Sequence, residues 1–571
     1  VYAIFLMIEK LKKQALSSSV AIAISVICMG VPILMGFQNW DDHDRSERSV
    51  AHDLAYNYLI GLDKNSILFV YGDNDTYPLW GLQETELFRD DVKIANLTLA
   101  NSPWNLEQLL RKTYNAEGLP TNLKYSDFQS GTNDNIFVVD GSIKNLFDEL
   151  NSYLKEGITL EALSQMSIDE AQSKMVDERI DASQILAVYN SLKEVEKYVT
   201  QDSMTAKEAI DFILDNKNPA KKALADYFGY PVGAVNFLPV SKIVVPVNKE
   251  NVLKYGIVSP KQKNQIVDQI EINLNSRTLY KADLMMLSLL ANYKWDRAMY
   301  FSGGGVYDPS SIFYLQDYLQ HAGLSYKFVP IYKKFGEGGV VGSSDVDAML
   351  KTFQLYRWGG LSNPDASFSQ NERNYTSSFR NVAIRLAEDL IKEGRNAEAK
   401  KVLDKVMKEI PAWPQYNVGS GVSRIASVYA HLGETTKANE LFTYAKKNLE
   451  ANKTYLEKLK QQGISGVLSE LASVKNDLMM VNYNEINGLA SAGKKEQAMI
   501  KFKELYLPKK LAFLKQYNSF MTDQRIDETE QEIIVKQFNE INELLGLIHD
   551  VDTAYAQKEQ NELYQTVAPE D

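Results

Sequence analysis

Apolar residues follow two rhythms along this chain, and the change from one to the other divides it. From Ile67 to Val70 four apolar residues stand together. The run stops at Gly72, Asp73, Asn74, Asp75 and Thr76, after which Pro78, Leu79 and Leu82 open a helical spacing. A short apolar run closed by turn residues reads as a buried strand, here followed by a polar loop and a helix start. Ahead of it Val50, Leu54, Tyr58 and Leu62 recur at four-residue spacing along one helix face, with Asp44 and Glu47 placed as a capping box. Val92 to Leu99, Ile136 to Val139, Ile243 to Val247, Ile270 to Leu274, Ala298 to Ser302 and Tyr326 to Ile331 read as further strands. Pro103 to Tyr114 and the almost wholly apolar Ala282 to Ala291 read as helices between them. Such alternation predicts an α/β domain with a parallel-type sheet over 41–375. Between about 141 and 230 the sequence turns charged and helical, with Thr205 and Glu208 as another capping signal, which predicts a helical insertion.

Beyond residue 375 only the helical rhythm remains. Aligned on Gly394, the residues Ala387, Leu390, Ala399, Leu403 and Pro411 stand where a tetratricopeptide repeat wants small, large and terminating side chains. Aligned on Gly433, Ala426, Tyr429, Ala438, Phe442 and Ala445 repeat the pattern, and Gly493 with Leu489, Ala498 and Phe502 gives a weaker third unit. The expectation is an all-α repeat domain over 376–571. Such solenoids present a concave surface to proteins or peptides, and the competing expectation is that this one only supports the α/β part.

At the amino end, Ala15 to Phe37 carries no formal charge and is long enough, at ~1.5 Å per residue, to span a ~30 Å hydrocarbon core. Lys10, Lys12 and Lys13 precede it, and Asp41, Asp42 and Asp44 follow. The expectation is an N-terminal transmembrane helix within 1–40, anchored in the inner membrane, with the large remainder in the periplasm. Val1 to Ile8 is itself apolar, so the chain reads as the carboxyl-terminal part of a larger multi-span protein whose membrane half is missing.

Composition narrows the partners. The net charge is −12, which argues against a nucleic-acid partner. Cys28 is the single cysteine, so an internal disulfide framework and a cysteine zinc site are excluded, and the 5 scattered histidines argue against a His-rich metal centre.

Loops at the carboxyl ends of strands face the crevice where open α/β sheets bind ligands, which makes Asp73, Asn74, Asp75 and Thr76 the first candidates for chemistry. The same residues are ordinary turn and capping material, Asp75 or Thr76 as the cap. Carboxylate and amide oxygens from Asp73, Asn74 and Asp75, with His43 or Asp44, suit Ca²⁺ or Mg²⁺, but the spacing matches no calcium loop and no metal is assigned. Gly303 to Gly305 reads as a turn or a phosphate cradle, with spacing that fits neither a Walker loop nor the dinucleotide fingerprint.

Several segments together carry a resemblance. They are Asp41-Asp42-His43-Asp44-Arg45-Ser46, Gly72 to Trp80, Leu82-Gln83-Glu84, Ala282 to Leu287, Trp295 to Ser302, Tyr318 to Pro330, Trp358-Gly359-Gly360, and the repeats after Arg380. In these the chain resembles the carboxyl half of glycosyltransferase family 117, multi-span proteins of bacterial envelopes similar to protein O-mannosyltransferases. Glu47, Tyr77 and Gly81 depart from the pattern. The resemblance implies an extracytoplasmic accessory module that binds acceptor proteins for a membrane protein O-glycosyltransferase. It implies a lipid-phosphate-linked sugar donor for the whole enzyme and no cofactor in this chain. Its partners would be the membrane, the missing multi-span half and exported acceptor proteins met through the helical repeats. No catalytic base is assigned, and Asp41, Asp42, His43, Asp44 and Arg45 join Asp73 to Thr76 as candidate functional residues. The alternative is a membrane-anchored scaffold with no part in glycosylation.

Overall fold

Neighbouring strands take up both edges of the run Ile67–Val70, and all four of its residues are buried. In the computed structural model, which describes residues 9–10, 18–40, 44, 48–230, 235–337, 340–416, 419–523, 528–549 and 551–567, this run is β1. It pairs in parallel with β2 (Lys93–Asn96), Ile67 opposite Lys93. On its other side it pairs in parallel with β9 (Met299–Ser302), Ile67 opposite Met299. The helix Asp73–Glu86 connects β1 to β2, and the helix Val50–Ile60 packs on it. Phe69 stacks on Phe301 across the sheet with ring centroids 5.1 Å apart.

The sheet is not of the parallel type expected from the alternation of elements. β10 (Leu319–Ala322) and β11 (Ser325–Phe328) form a hairpin, β11 runs antiparallel to β9, and β12 (Ser343–Ser344) closes the order β12-β10-β11-β9-β1-β2. A two-residue connection allows only an antiparallel return, and Gly323, at φ +86°, supplies the turn. The remaining strands stand apart in two small sheets. One has β3 (Asn135–Val138) between β5 (Val235–Leu238) and β8 (Thr278–Leu279). The other has β6 (Lys242–Pro246) between β4 (Met204–Thr205) and β7 (Gln269–Asn273). The architecture is mixed α/β and rich in helix.

The expected N-terminal transmembrane helix is also corrected. A helix does form over Ser18–Gln38, with Pro32 inside it, but among the described residues no helix is long and apolar enough to cross a membrane. Ser25, Gly30, Pro32 and Gly36 interrupt the apolar residues along it.

One apolar core runs from Val50 to Val481, and a second gathers residues from Ile486 to Leu563. The helices Gln370–Lys392, Asn396–Glu409, Ser420–His431 and Thr435–Gln461 therefore extend the α/β core, while Leu468–Ser491 contributes to both. Trp358, Gly359 and Gly360 lie where these parts meet. Gly359 has φ +60°, and a Cβ there would fall 2.5 Å from the Val50 Cα. Its N–H donates to Asp53 Oδ2 at 2.8 Å, and its carbonyl accepts from the Ser49 N–H at 3.3 Å, so the motif clamps the start of the helix Val50–Ile60. Gly359→Ala is expected to lower stability by about 2–4 kcal/mol in urea unfolding. Gly466→Ala, at a position where a Cβ meets nothing within 4 Å, leaves the midpoint nearly unchanged.

Candidate functional site

Because β2, β1 and β9 are parallel, their carboxyl ends open on one edge, and the chain there is held by a short chain of hydrogen bonds. Gly72, at φ +86°, turns the backbone directly into the helix, which begins at Asp73 and places Pro78 inside it. Thr76 Oγ1 donates to the Gly72 carbonyl at 2.6 Å, Asn96 Nδ2 donates to Thr76 Oγ1 at 2.8 Å, and Asn96 Oδ1 accepts from the Leu99 N–H at 2.9 Å. Proline has no N–H for the carbonyl four residues before it, here that of Asn74. The Tyr375 hydroxyl, from the helix Gln370–Lys392, donates to that carbonyl at 3.3 Å instead.

Capping is not what Asp75 does. The cap position is Gly72 and makes no side-chain cap bond, whereas the Asp75 carboxylate turns inward, with Oδ2 buried and lacking a partner within normal hydrogen-bond geometry. Desolvation raises its pKa, and the nearby hydroxyls of Ser302 and Tyr58 offset part of that rise. Burial first, and then the neighbouring Asp75, hold Tyr58 well above the usual phenol range. Gly303 to Gly305 form the turn after β9, and a Cβ on Gly304 would come 3.3 Å from Asp75 Oδ2. The glycines thus give the carboxylate room.

Asp73 and Asn74 are exposed, and so is Asp44, whose N–H donates to the Trp40 carbonyl at 2.8 Å. Asp41, Asp42, His43 and Arg45 lie outside the described residues. The structure separates Asp73 in solvent from the buried oxygen of Asp75, and among the described residues no group of three or more His, Cys, Asp or Glu is placed to hold a metal ion.

Beside this turn lies a cavity of about 320 Å³, reached from β1 through Tyr71 and lined also by Asn101, Ser276, Tyr280, Asp283 and Tyr314. A larger depression of about 790 Å³ near Trp295 is open to solvent and carries the exposed Lys249–Asp268 ion pair. Asp283 was not legible as a site residue, since it stands at the head of the apolar helix Lys281–Ala291. Its Oδ2 accepts the Tyr280 N–H at 2.8 Å, and burial pushes its pKa up to about 6. A lone carboxylate among Leu, Met and Ala was the one available signal, and a first-turn acid explains it equally well. Phe313 and Tyr314 on the same wall have φ +53° and +57°. Two successive large side chains in the left-handed region cost on the order of 1–3 kcal/mol each, a strain that the surrounding packing must sustain.

Fold and site together define a mixed α/β domain with a small polar and aromatic pocket at the carboxyl edge of its main sheet. Residues 51–348, more than half of the chain, match the family model TMEM260-associated domain 2, and the chain belongs to that family. The matched stretch ends before the helix Gln370–Lys392 and the helices after it. No curated protein and no solved structure matches the chain.

The Asp283 carboxyl has a testable consequence for stability. Its pKa is higher folded than unfolded, so the folded state holds more protons between the ordinary value of 3.8 and about 6. The contribution of Asp283 to stability therefore falls as pH rises through that window. Asp283→Asn is expected to be about 1–3 kcal/mol more stable relative to the native chain near pH 7 than near pH 4. Urea midpoints at the two pH values measure it, and equal differences at both would remove the burial argument.

Proposed function

We propose that this chain is the accessory, acceptor-binding module of a membrane protein O-glycosyltransferase similar to glycosyltransferase family 117. The carboxylates that cleave the sugar donor would then belong to a separate multi-span half. The observation that carries the reading is the match of the α/β part to a TMEM260-associated domain. A chain of this size and net acidity, whose described residues include no metal cluster, fits a module that holds acceptor and transferase together. On this reading the α/β part acts outside the cytoplasm beside the transferase, and exported proteins meet the helical part.

A second reading has its own support. A groove of about 570 Å³ runs between the helices that follow residue 435, lined by Lys453, Lys475, Met479, Leu505 and Glu540. Mixed charge around apolar side chains suits a peptide or protein surface, so a scaffold without a role in glycosylation is the competing function.

A strain deleted for the full-length gene distinguishes the two. Complemented with the multi-span half alone, it is expected to leave exported proteins unmodified by intact-mass analysis, and adding this chain is expected to restore the sugar mass. Full modification without this chain would overturn the accessory reading and move the scaffold to first place.

A further inference from the structure

The pocket around Asp283 has a composition that selects its ligand. None of its lining residues is Lys, Arg or His, so an anion finds no countercharge there. It has a single carboxylate, whereas a hard cation wants six or more oxygens, several of them charged. An apolar ligand would cover the Asn101 side-chain N–H and the second Asp283 carboxylate oxygen without offering either a hydrogen bond. What remains is a neutral molecule with hydroxyl groups at its rim and an apolar face.

The walls fit that description. Tyr71 and Tyr280 are 48% and 52% exposed, leaving ring surface uncovered at the mouth. Deeper in, one Asp283 oxygen takes the Tyr280 N–H, and the other has no partner among the described residues. Asn101 Oδ1 accepts the Ala282 N–H at 3.1 Å, while its Nδ2 reaches the carbonyls of Leu97 and Thr98 only at the 3.5 Å limit and so retains a donor for a ligand. Ser276, whose Oγ donates to the Thr278 carbonyl at 2.8 Å, lies beside Tyr314, which feels the Asp283 charge. A volume of about 320 Å³ is small for a ligand site, which suits a short saccharide better than a folded peptide segment.

We propose that this pocket binds the ring of a neutral saccharide, Tyr71 and Tyr280 covering its apolar face while Asp283 and Asn101 hydrogen-bond its hydroxyls. The site deepens the glycosyltransferase-associated reading and rests on it for the choice of probe. On that reading, it would hold a sugar already attached to the acceptor, or one just transferred, in the module that docks the acceptor.

The test is titration of the whole chain with methyl glycosides of the common hexoses, followed by ligand-observed NMR and calorimetry. At least one glycoside is expected to bind, and Asp283→Asn and Tyr280→Ala are each expected to weaken it tenfold or more. Asparagine keeps the acceptor for the Tyr280 N–H, and Tyr280 is half exposed, so both variants retain the fold, which a urea midpoint verifies. Failure of every glycoside to bind, or binding that both variants leave unchanged, overturns the proposal. The accessory reading fails separately. Binding that depends on Asp283, in a strain whose exported proteins are modified without this chain, leaves the pocket standing and removes the transferase.

Discussion

Everything at the candidate site depends on β1 being buried between two parallel partners. Its backbone N–H and C=O groups are satisfied because β2 and β9 flank it on both sides, and because both run in its own direction three carboxyl ends come to one edge. Were β9 reversed, the turn Gly303 to Gly305 would leave at the opposite edge, and Ser302 would not face Asp75. Gly72, Asp75, Ser302 and Tyr71 are neighbours because of strand direction, although 230 residues of sequence separate Gly72 from Ser302.

The helices after residue 370 take part in that arrangement. Arg48 pairs with Glu372 at 3.3 Å, and Tyr375 serves the carbonyl that Pro78 leaves unbonded. Arg380 is fully buried, its guanidinium donating to the carbonyls of Tyr416 and Pro411, and burial lowers its pKa to about 10. The Tyr416 hydroxyl in turn donates to the Leu361 carbonyl at 2.9 Å, close to Gly359 and Gly360. Through these carbonyls the buried arginine ties chain segments together. At this junction the helical region has a structural task, whatever its outer face binds.

Two carboxyls lie near the sheet edge, and burial raises the pKa of both. Neither has a cation close enough to restore its acidity, in contrast to Asp389, which Ser344, Arg385 and Lys392 hold below the usual carboxylate range. A carboxyl that is costly to ionise exchanges hydrogen bonds with neutral groups more readily than it binds a metal. The neutral groups nearest Asp75 are the hydroxyls of Ser302 and Tyr58, and for Asp283 one position remains open toward a cavity.

Local chemistry alone determined much of the chain. Ile67 to Val70 forms a strand because four apolar residues between polar turns have one low-energy way to be buried, and Thr205 with Glu208 forms a capping box because both partners are local. The same local reading failed wherever a distant segment decides. Asp75 looked like a cap, yet Gly72 turned the chain so that the helix began at Asp73, and the carboxylate met hydroxyls that arrive from Tyr58 and Ser302. The sheet looked parallel because alternating strands and helices suggest it, but the turn at Gly323 reverses β11 against β9. Asp283 was hidden, since its pocket is assembled from Tyr71, Asn101, Ser276 and Tyr314, which meet only after the strands have paired. Sequence determines where apolar surface must be covered and where the chain can turn. Tertiary structure decides which polar groups are left facing each other once it is covered, because that depends on strand order and direction, which residue spacing does not encode.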